Sequence, residues 1–420
     1  MIRALKTEIA SFSLSDRLFV FFAMLSGFFI SMEYAVVRPV SNGLFLTFFS
    51  AADLPIAWLC VVPLNLAVVA IYNRYLPKWG CKKMFLLTSF VISSFSLVAA
   101  FFISRTPFLS FGFYVWKEVY IMLMFQQLWS VIHLTVPLKR AKYLYGLFLA
   151  MGAFGAFCGS LIPSFLAVQM GSQSLLLATV PIYIVLNFCY FQAIQRSTYS
   201  PSTLPSSEPA SLFSGFKLVM SSKMLLSILG IVCFMQISSA LIDFQFSAFL
   251  EKQIFDQDLR TAYVAQVMSY VHLVTMALQL GGAYLCIRYL GVRGSHLLIP
   301  LFLFGNAALF QCLPFFGLLS LSFICVKSFD FSLFTAIKEM LYIPLSADEK
   351  FRAKAVIDVF AHRASKAMAS FFILFFKLFF GLQFLPWIGW LAIVVFSLWA
   401  LIVSLAFKKN LLFVVEKKIL

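Results

Sequence analysis

Charge is what this sequence has least of. Only 11% of its 420 residues are Asp, Glu, Lys or Arg, and 62% are hydrophobic. A soluble domain carries about 25% charged residues, so a water-soluble globule is excluded and a polytopic membrane protein is indicated. Histidine is scarce as well: His133, His272, His296 and His362 are dispersed and make no ligand cluster. The cysteines (Cys60, Cys81, Cys158, Cys189, Cys233, Cys286, Cys312 and Cys325) contain no CxxC pair, so neither a zinc site nor a disulfide framework is expected. Most of them lie in apolar runs, where a free thiol behaves as a small hydrophobe. No GxxxxGK[ST] loop occurs, which disfavours ATP hydrolysis as a power source. Clustered His, Asp and Glu, or a Ser/His pair, are missing at membrane depth, so no enzyme chemistry, metal or cofactor is expected. A cleavable leader is not expected either, because Met1 to Arg17 is short and polar and the next helix is long enough to stay.

Apolar sequence fills the chain instead. Runs that suit spans of ~20 residues lie at 18–37, 55–75, 84–104, 108–136, 143–168, 175–195, 224–250, 262–289, 297–313, 315–342, 367–384 and 386–407. The 52 phenylalanines fit lipid-facing and inter-helix surface and identify no site. Basic residues crowd alternate loops: Arg3, Lys6 and Arg17, then Arg74, Lys78, Lys82 and Lys83, then Lys139, Arg140 and Lys142, and so on to Lys417 and Lys418. The opposite side has Arg38, Arg105, Lys252 and Arg260. Cytoplasmic loops carry the excess of Lys and Arg, so both termini are expected in the cytoplasm. That distribution accounts for the net charge of +16; nucleic acid is not an expected partner, whereas membrane lipid is.

The longest polar interval, Arg196 to Lys223, holds Pro201, Pro205 and Pro209 among serines and reads as a flexible cytoplasmic linker. The expected fold is therefore an all-α membrane protein of about twelve transmembrane helices in two six-helix halves, 1–195 and 224–420, joined by the linker 196–223. This is the layout of facilitator-type carriers. Gly152, Gly155, Ala156 and Gly159 would let the fifth span cross a neighbour closely, and Gly281-Gly282 in the eighth reads likewise.

Lys117, Lys327, Lys338 and Lys377 fall within apolar spans, as do Glu33, Glu118, Asp243, Asp330 and Glu339. A charge near the bilayer centre costs at least ~2.5–3.5 kcal/mol, which makes each a functional candidate by default. Lys117 and Glu118 are adjacent and point about 100° apart on a helix, so one is expected to line a pathway while the other pairs elsewhere or snorkels; Glu118 is the favoured pathway residue. Asp243, mid-way along the seventh span, is either a protonatable functional carboxylate or a packing partner for a buried lysine. Lys327 and Lys377 suit snorkelling or inter-helix pairs, with Asp330 three residues after Lys327 and within reach on one helix face.

The densest charge lies at 334–366, between two apolar runs. There Lys338-Glu339-Met340, Tyr342-Ile343-Pro344-Leu345, Lys354-Ala355, Ile357-Asp358-Val359, Arg363 and Lys366 resemble the signature of the ADP/ATP translocases of plastids and obligate intracellular bacteria. The resemblance implies a major-facilitator-like fold, nucleotide exchange, and a bacterial inner (cytoplasmic) membrane. Lys338 matches the family's motif lysine and would contact substrate phosphate; Glu339 would form a gating pair with a basic residue of the cytoplasmic loop. Glu118 resembles a family acid ahead of an aromatic-rich segment, and Asp243 stands where the family has Glu. The segment from Tyr34 to Leu64 is similar over Arg38, Leu44, Thr47 and Leu54-Pro55. It departs at Ser41-Asn42, where the family has a lysine followed by an acid.

The substrate-binding candidates are thus Lys338, Glu118, Asp243, Arg38 and Lys117, with Glu339 as gate. The function these imply is a secondary transporter exchanging nucleotides of the ATP/ADP type by alternating access. The departure at Ser41-Asn42 leaves two possibilities: Lys117 substitutes for the missing cation, or the substrate is less anionic. The alternative reading is accordingly a proton-coupled transporter of another small anionic metabolite, with Glu118 and Asp243 as proton carriers. A third, an intramembrane enzyme or lipid-handling scaffold, finds no supporting cluster. The sequence assigns no oligomeric state.

Overall fold

The structure, a computed structural model, describes residues 13–136, 138–197, 212–342, 356–357 and 362–408. Among these residues it is helical throughout, without a strand. Among the described residues ten helices are long and apolar enough to cross a membrane, and they define an integral multi-pass membrane protein.

Helix α1 runs unbroken from Leu14 to Phe48. Ser13 caps it, its hydroxyl accepting from the Asp16 amide at 3.1 Å. The sequence expectation ended this span at Val37 and put Arg38 and Ser41-Asn42 in an inter-span segment. Instead all three stand in the body of the helix, Arg38 just before Pro39 and Ser41-Asn42 just after it. Pro39 forfeits one backbone hydrogen bond, but Val36, Val37, Val40, Leu44 and Phe45 are completely buried on the packed face. Proline is tolerated in a membrane-spanning helix where neighbouring helices pack closely around the freed backbone group.

The second and third expected spans merge into α2, Leu54–Phe102, whose path breaks at Gly80 with φ 70° and ψ 165°. Glycine adopts that left-handed backbone without steric cost. Gly291, with φ 68°, makes the same kind of break in α9, Ala283–Cys312. Between them lie α3 (Pro107–Thr135), α4 (Leu138–Met170), α5 (Thr179–Gln195), α6 (Leu212–Ser221), α7 (Lys223–Gln253) and α8 (Gln257–Ala277). Helix α6 falls within the stretch expected as a linker, and its Val219 is buried; residues 198–211 lie outside the described set. After α9 come α10 (Phe316–Phe329), a π-helical turn at Asp330–Phe334, α11 (Thr335–Leu341), α12 (His362–Phe380) and α13 (Phe384–Lys408).

The contacts group the chain into two compact units. The first contains the described residues of Met1–Ser50, Cys60–Pro205 and Ile254–Met276; the second, those of Ala51–Leu59, Ser206–Gln253 and Ala277–Leu420. In the first unit α1 is the central helix, packed on α3, α4 and α5. Its crossing with α4 is close because a Cβ at Gly155 would overlap the backbone of Phe28, and one at Gly159 that of Met32. Gly281 does not act this way: a Cβ there would meet nothing within 4 Å. In the second unit α7 is central, packed on α10, α12 and α13.

Within the first unit, Arg260 of α8 is buried rather than in a loop. It donates from Nε to the Ile254 carbonyl at 2.5 Å and from Nη1 to the Leu46 carbonyl at 2.6 Å. The planar guanidinium supplies both bonds at once and ties the start of α8 to the last turn of α1.

Candidate functional site

In the first unit the candidates meet between α1 and α3. Lys117 is 1% exposed. Its Nζ donates to Glu118 Oε1 at 3.1 Å and to Asn42 Oδ1 at 3.1 Å, and it sits 3.9 Å from the centre of the Tyr114 ring. Tyr34 of α1 donates its hydroxyl to the same Glu118 oxygen at 3.3 Å. The expectation that adjacent Lys117 and Glu118 diverge is therefore corrected. Their Cβ atoms do diverge, but the four-carbon stem of lysine is flexible and carries the ammonium back over its neighbour. An unpartnered buried ammonium costs several kcal/mol; here an acid, an amide and a π-face compensate it. Glu118 remains the more accessible partner, at 21% exposed.

This cluster places an ammonium directly against Asn42. The Ser41-Asn42 dipeptide lacks a cation of its own, and Lys117 brings one to it from the facing helix. Arg38, one turn earlier on α1, is half-buried, with His272 of α8 near it. A second buried acid was counted among the intramembrane charges but given no role. Glu33 is 1% exposed and accepts from Tyr120 Oη at 3.0 Å, while the Tyr183 phenol faces the same carboxyl. The clue was available in the tyrosines at membrane depth, whose hydroxyls seek a partner when buried.

In the second unit, Asp243 of α7 and Lys327 of α10 form an ion pair, Nζ to Oδ2 at 2.5 Å. Lys327 also donates to Ser239 Oγ at 2.9 Å, one turn before Asp243 on the same helix, and lies 5.6 Å from the Phe323 ring centre. The expected i, i+3 pairing of Lys327 with Asp330 gives way to this one, because α7 presents an acid and a hydroxyl together. Asp330 instead accepts from Gln236 Nε2, at 3.2 Å to one oxygen and 3.3 Å to the other.

Lys338 occupies α11 and is half-buried beside a cavity of ≈ 190 Å³, with Gln236, Asp330 and Thr335 among the lining residues. Glu339 follows it, half-buried in the same short helix. The structure thus gathers Lys338 and Asp330 at one cavity, with Asp243 and Lys327 as a separate neighbouring pair on α7 and α10. Lys377 lies elsewhere in this unit, donating to the Ala52 carbonyl at 3.3 Å and to Asp53 at 3.5 Å. The remaining motif residues Ile343-Pro344-Leu345, Lys354-Ala355, Asp358-Val359 and the Arg363 side chain lie outside the described residues.

The fold is that of membrane transporters. A crystal structure of a point mutant of the nucleoside transporter NupG superposes with a TM-score of 0.67 at 13% identity, covering 93% of this chain and 100% of that one. A second NupG structure gives 0.64 at 14% identity, over 92% and 97%. An auto inhibited POT family peptide transporter gives 0.66 at 12% identity, over 92% and 96%. No curated protein matches the sequence.

At the level of family, residues 316–409 match the model of the TLC ATP/ADP transporters. That stretch contains the motif from Lys338 to Lys366, and the resemblance read there is borne out.

Proposed function

We propose that the protein is a secondary carrier that exchanges nucleotides of the ATP/ADP type across a membrane by alternating access. The observation that carries this reading is Lys117 Nζ at 3.1 Å from Asn42 Oδ1. A nucleotide carrier needs several cations for its phosphates, and the chain departs from the family pattern where one is expected. Lys117 supplies the charge to that place from α3. Lys338, in the matched segment, and Arg38 add further positive charge, Glu118 and Asp243 hold lysines in position, and Glu339 gates. No nucleic acid or cofactor enters the scheme.

The accompanying architecture is twelve spans in two six-helix halves, 1–195 and 224–420, with a linker at 196–223 and both termini in the cytoplasm of a bacterial cell. Supporting that count, the apolar helix Ala51–Phe102 is broken at Gly80 and is long enough for two spans, and His362–Phe380 adds a further one.

The test is uptake of labelled ATP into cells expressing the chain, with and without ADP preloaded, beside Lys338→Ala and Lys117→Ala. Exchange predicts saturable uptake that ADP accelerates and both variants lose. No uptake by well-inserted protein would remove the nucleotide reading.

One observation favours the alternative of a proton-coupled carrier for another small anionic metabolite. Among the described residues, the two deeply buried lysines already face a carboxylate, Lys117 at 3.1 Å and Lys327 at 2.5 Å. Each pair is close to neutral, leaving less positive charge for a triphosphate. Under this reading, uptake of the metabolite follows an imposed pH gradient and does not depend on ADP inside.

A further inference from the structure

The second unit contains another cavity, of ≈ 680 Å³, lined by neither Lys338 nor the Asp243–Lys327 pair. Small-molecule sites typically span about 300–1,000 Å³. It forms where three helices end or begin: the end of α7 at Gln253, the end of α9 at Cys312, and the start of α13 at Phe384. Helix ends in a multi-pass protein lie near the membrane–water boundary, and tryptophan concentrates there. Trp387 and Trp390 line this cavity and are 45% and 56% exposed.

One face of α7 supplies the rest of the wall. Gln245, Phe249 and Lys252 are spaced i, i+4 and i+7 and all line the cavity, which puts them in a row along about 10 Å of helix. The row runs from an exposed ammonium at Lys252 to an amide at Gln245 that is 4% exposed. The Gln245 Nε2 atom is buried and has no hydrogen-bond partner. Leaving a buried donor without an acceptor is unfavourable, so the wall suits a molecule that brings an acceptor. Phe310 of α9 extends the apolar surface.

The ligand that fits is graded in the same order: an anionic group at the boundary, carbonyl oxygens one or two turns deeper, and hydrocarbon beyond. We propose that this cavity binds one phospholipid, with its phosphate at Lys252, an ester carbonyl accepting from Gln245 Nε2, and its acyl chains against Phe249, Phe310 and Trp387. The site is independent of the transported substrate, and its occupancy would stiffen the junction of α7 with α13.

The test is native mass spectrometry of the full-length, delipidated protein titrated with dioleoylphosphatidylglycerol. Arms with dioleoylglycerol and with inorganic phosphate separate the lipid from its parts. The expected result is one saturable adduct, weakened at least fivefold by Gln245→Leu and by Lys252→Ala, lost with dioleoylglycerol and not displaced by millimolar phosphate. Gln245→Leu removes the unpartnered donor, so its lipid-free melting temperature should be no lower than that of the parent. Unsaturable binding, displacement by phosphate, or unchanged affinity in Gln245→Leu would each overturn the proposal. So would a fall in lipid-free stability that accounts for the lost adduct.

Discussion

Lys327 and Asp243, 84 residues apart in the chain, meet as an ion pair of 2.5 Å between α10 and α7. Their side chains are 9% and 18% exposed, so each charge depends on the other. Removing one member of a buried pair costs about 3–5 kcal/mol, whereas replacing both with apolar residues is often neutral. Asp243→Asn and Lys327→Met should each lower the melting temperature of the purified protein sharply, and Lys327→Met with Asp243→Leu should recover most of it. If the double variant is no better than either single one, the pair is not the source of the loss.

The cation at Asn42 can be relocated. Lys117→Ala should reduce labelled-nucleotide uptake at least tenfold, and adding Asn42→Lys should restore much of it, because the ammonium returns to the same place from α1. A cation required merely to balance Glu118 predicts instead that Lys117→Ala with Glu118→Gln regains activity. The two rescues are read in one uptake assay.

The α1–α4 seam provides a graded series. Gly155→Ala and Gly159→Ala drive a methyl into the backbones of Phe28 and Met32, and overpacking of this kind costs roughly 1–3 kcal/mol. Gly152→Ala meets only the Ser31 hydroxyl and should cost less. Gly281→Ala has open space and should leave the folded fraction on size-exclusion chromatography unchanged.

Arg260 tests fork geometry against charge. Arg260→Lys retains the charge but cannot reach both the Ile254 and Leu46 carbonyls, and hydrogen bonds to charged groups are worth about 1.5–3 kcal/mol each. Thermal unfolding should show Arg260→Lys losing a large part of what Arg260→Ala loses.

Much of this was legible in the residues. The scarcity of charge defined a membrane protein, and the spacing from Lys338 to Lys366 pointed to the family that matches residues 316–409. What escaped was long-range. The readings of Asp243 as partner to a buried lysine and of Lys327 as an inter-helix pair hold, but nothing local to Asp243 announces which lysine, and Asp330, three residues from Lys327, was the nearer candidate. Arg38 was placed just past the end of the first apolar run, yet buried valines on either side hold it in a helix. Lys117 and Glu118 were set apart by helix geometry, which fixes Cβ directions but not the end of a lysine stem. Arg260 was counted among boundary charges, since its two carbonyl acceptors lie on other turns of the chain.

The close seating of α4 on α1 has a practical consequence. With Gly155 and Gly159 lying against the backbones of Phe28 and Met32, the two helices share a single position coordinate. Helix α4 contributes none of the candidate site side chains, so a fluorophore or spin label on its exposed face, at Phe165 for instance, would track the displacement of Tyr34 and Asn42 without touching them. The seam offers a reporter for the site from a place where chemistry can be attached safely.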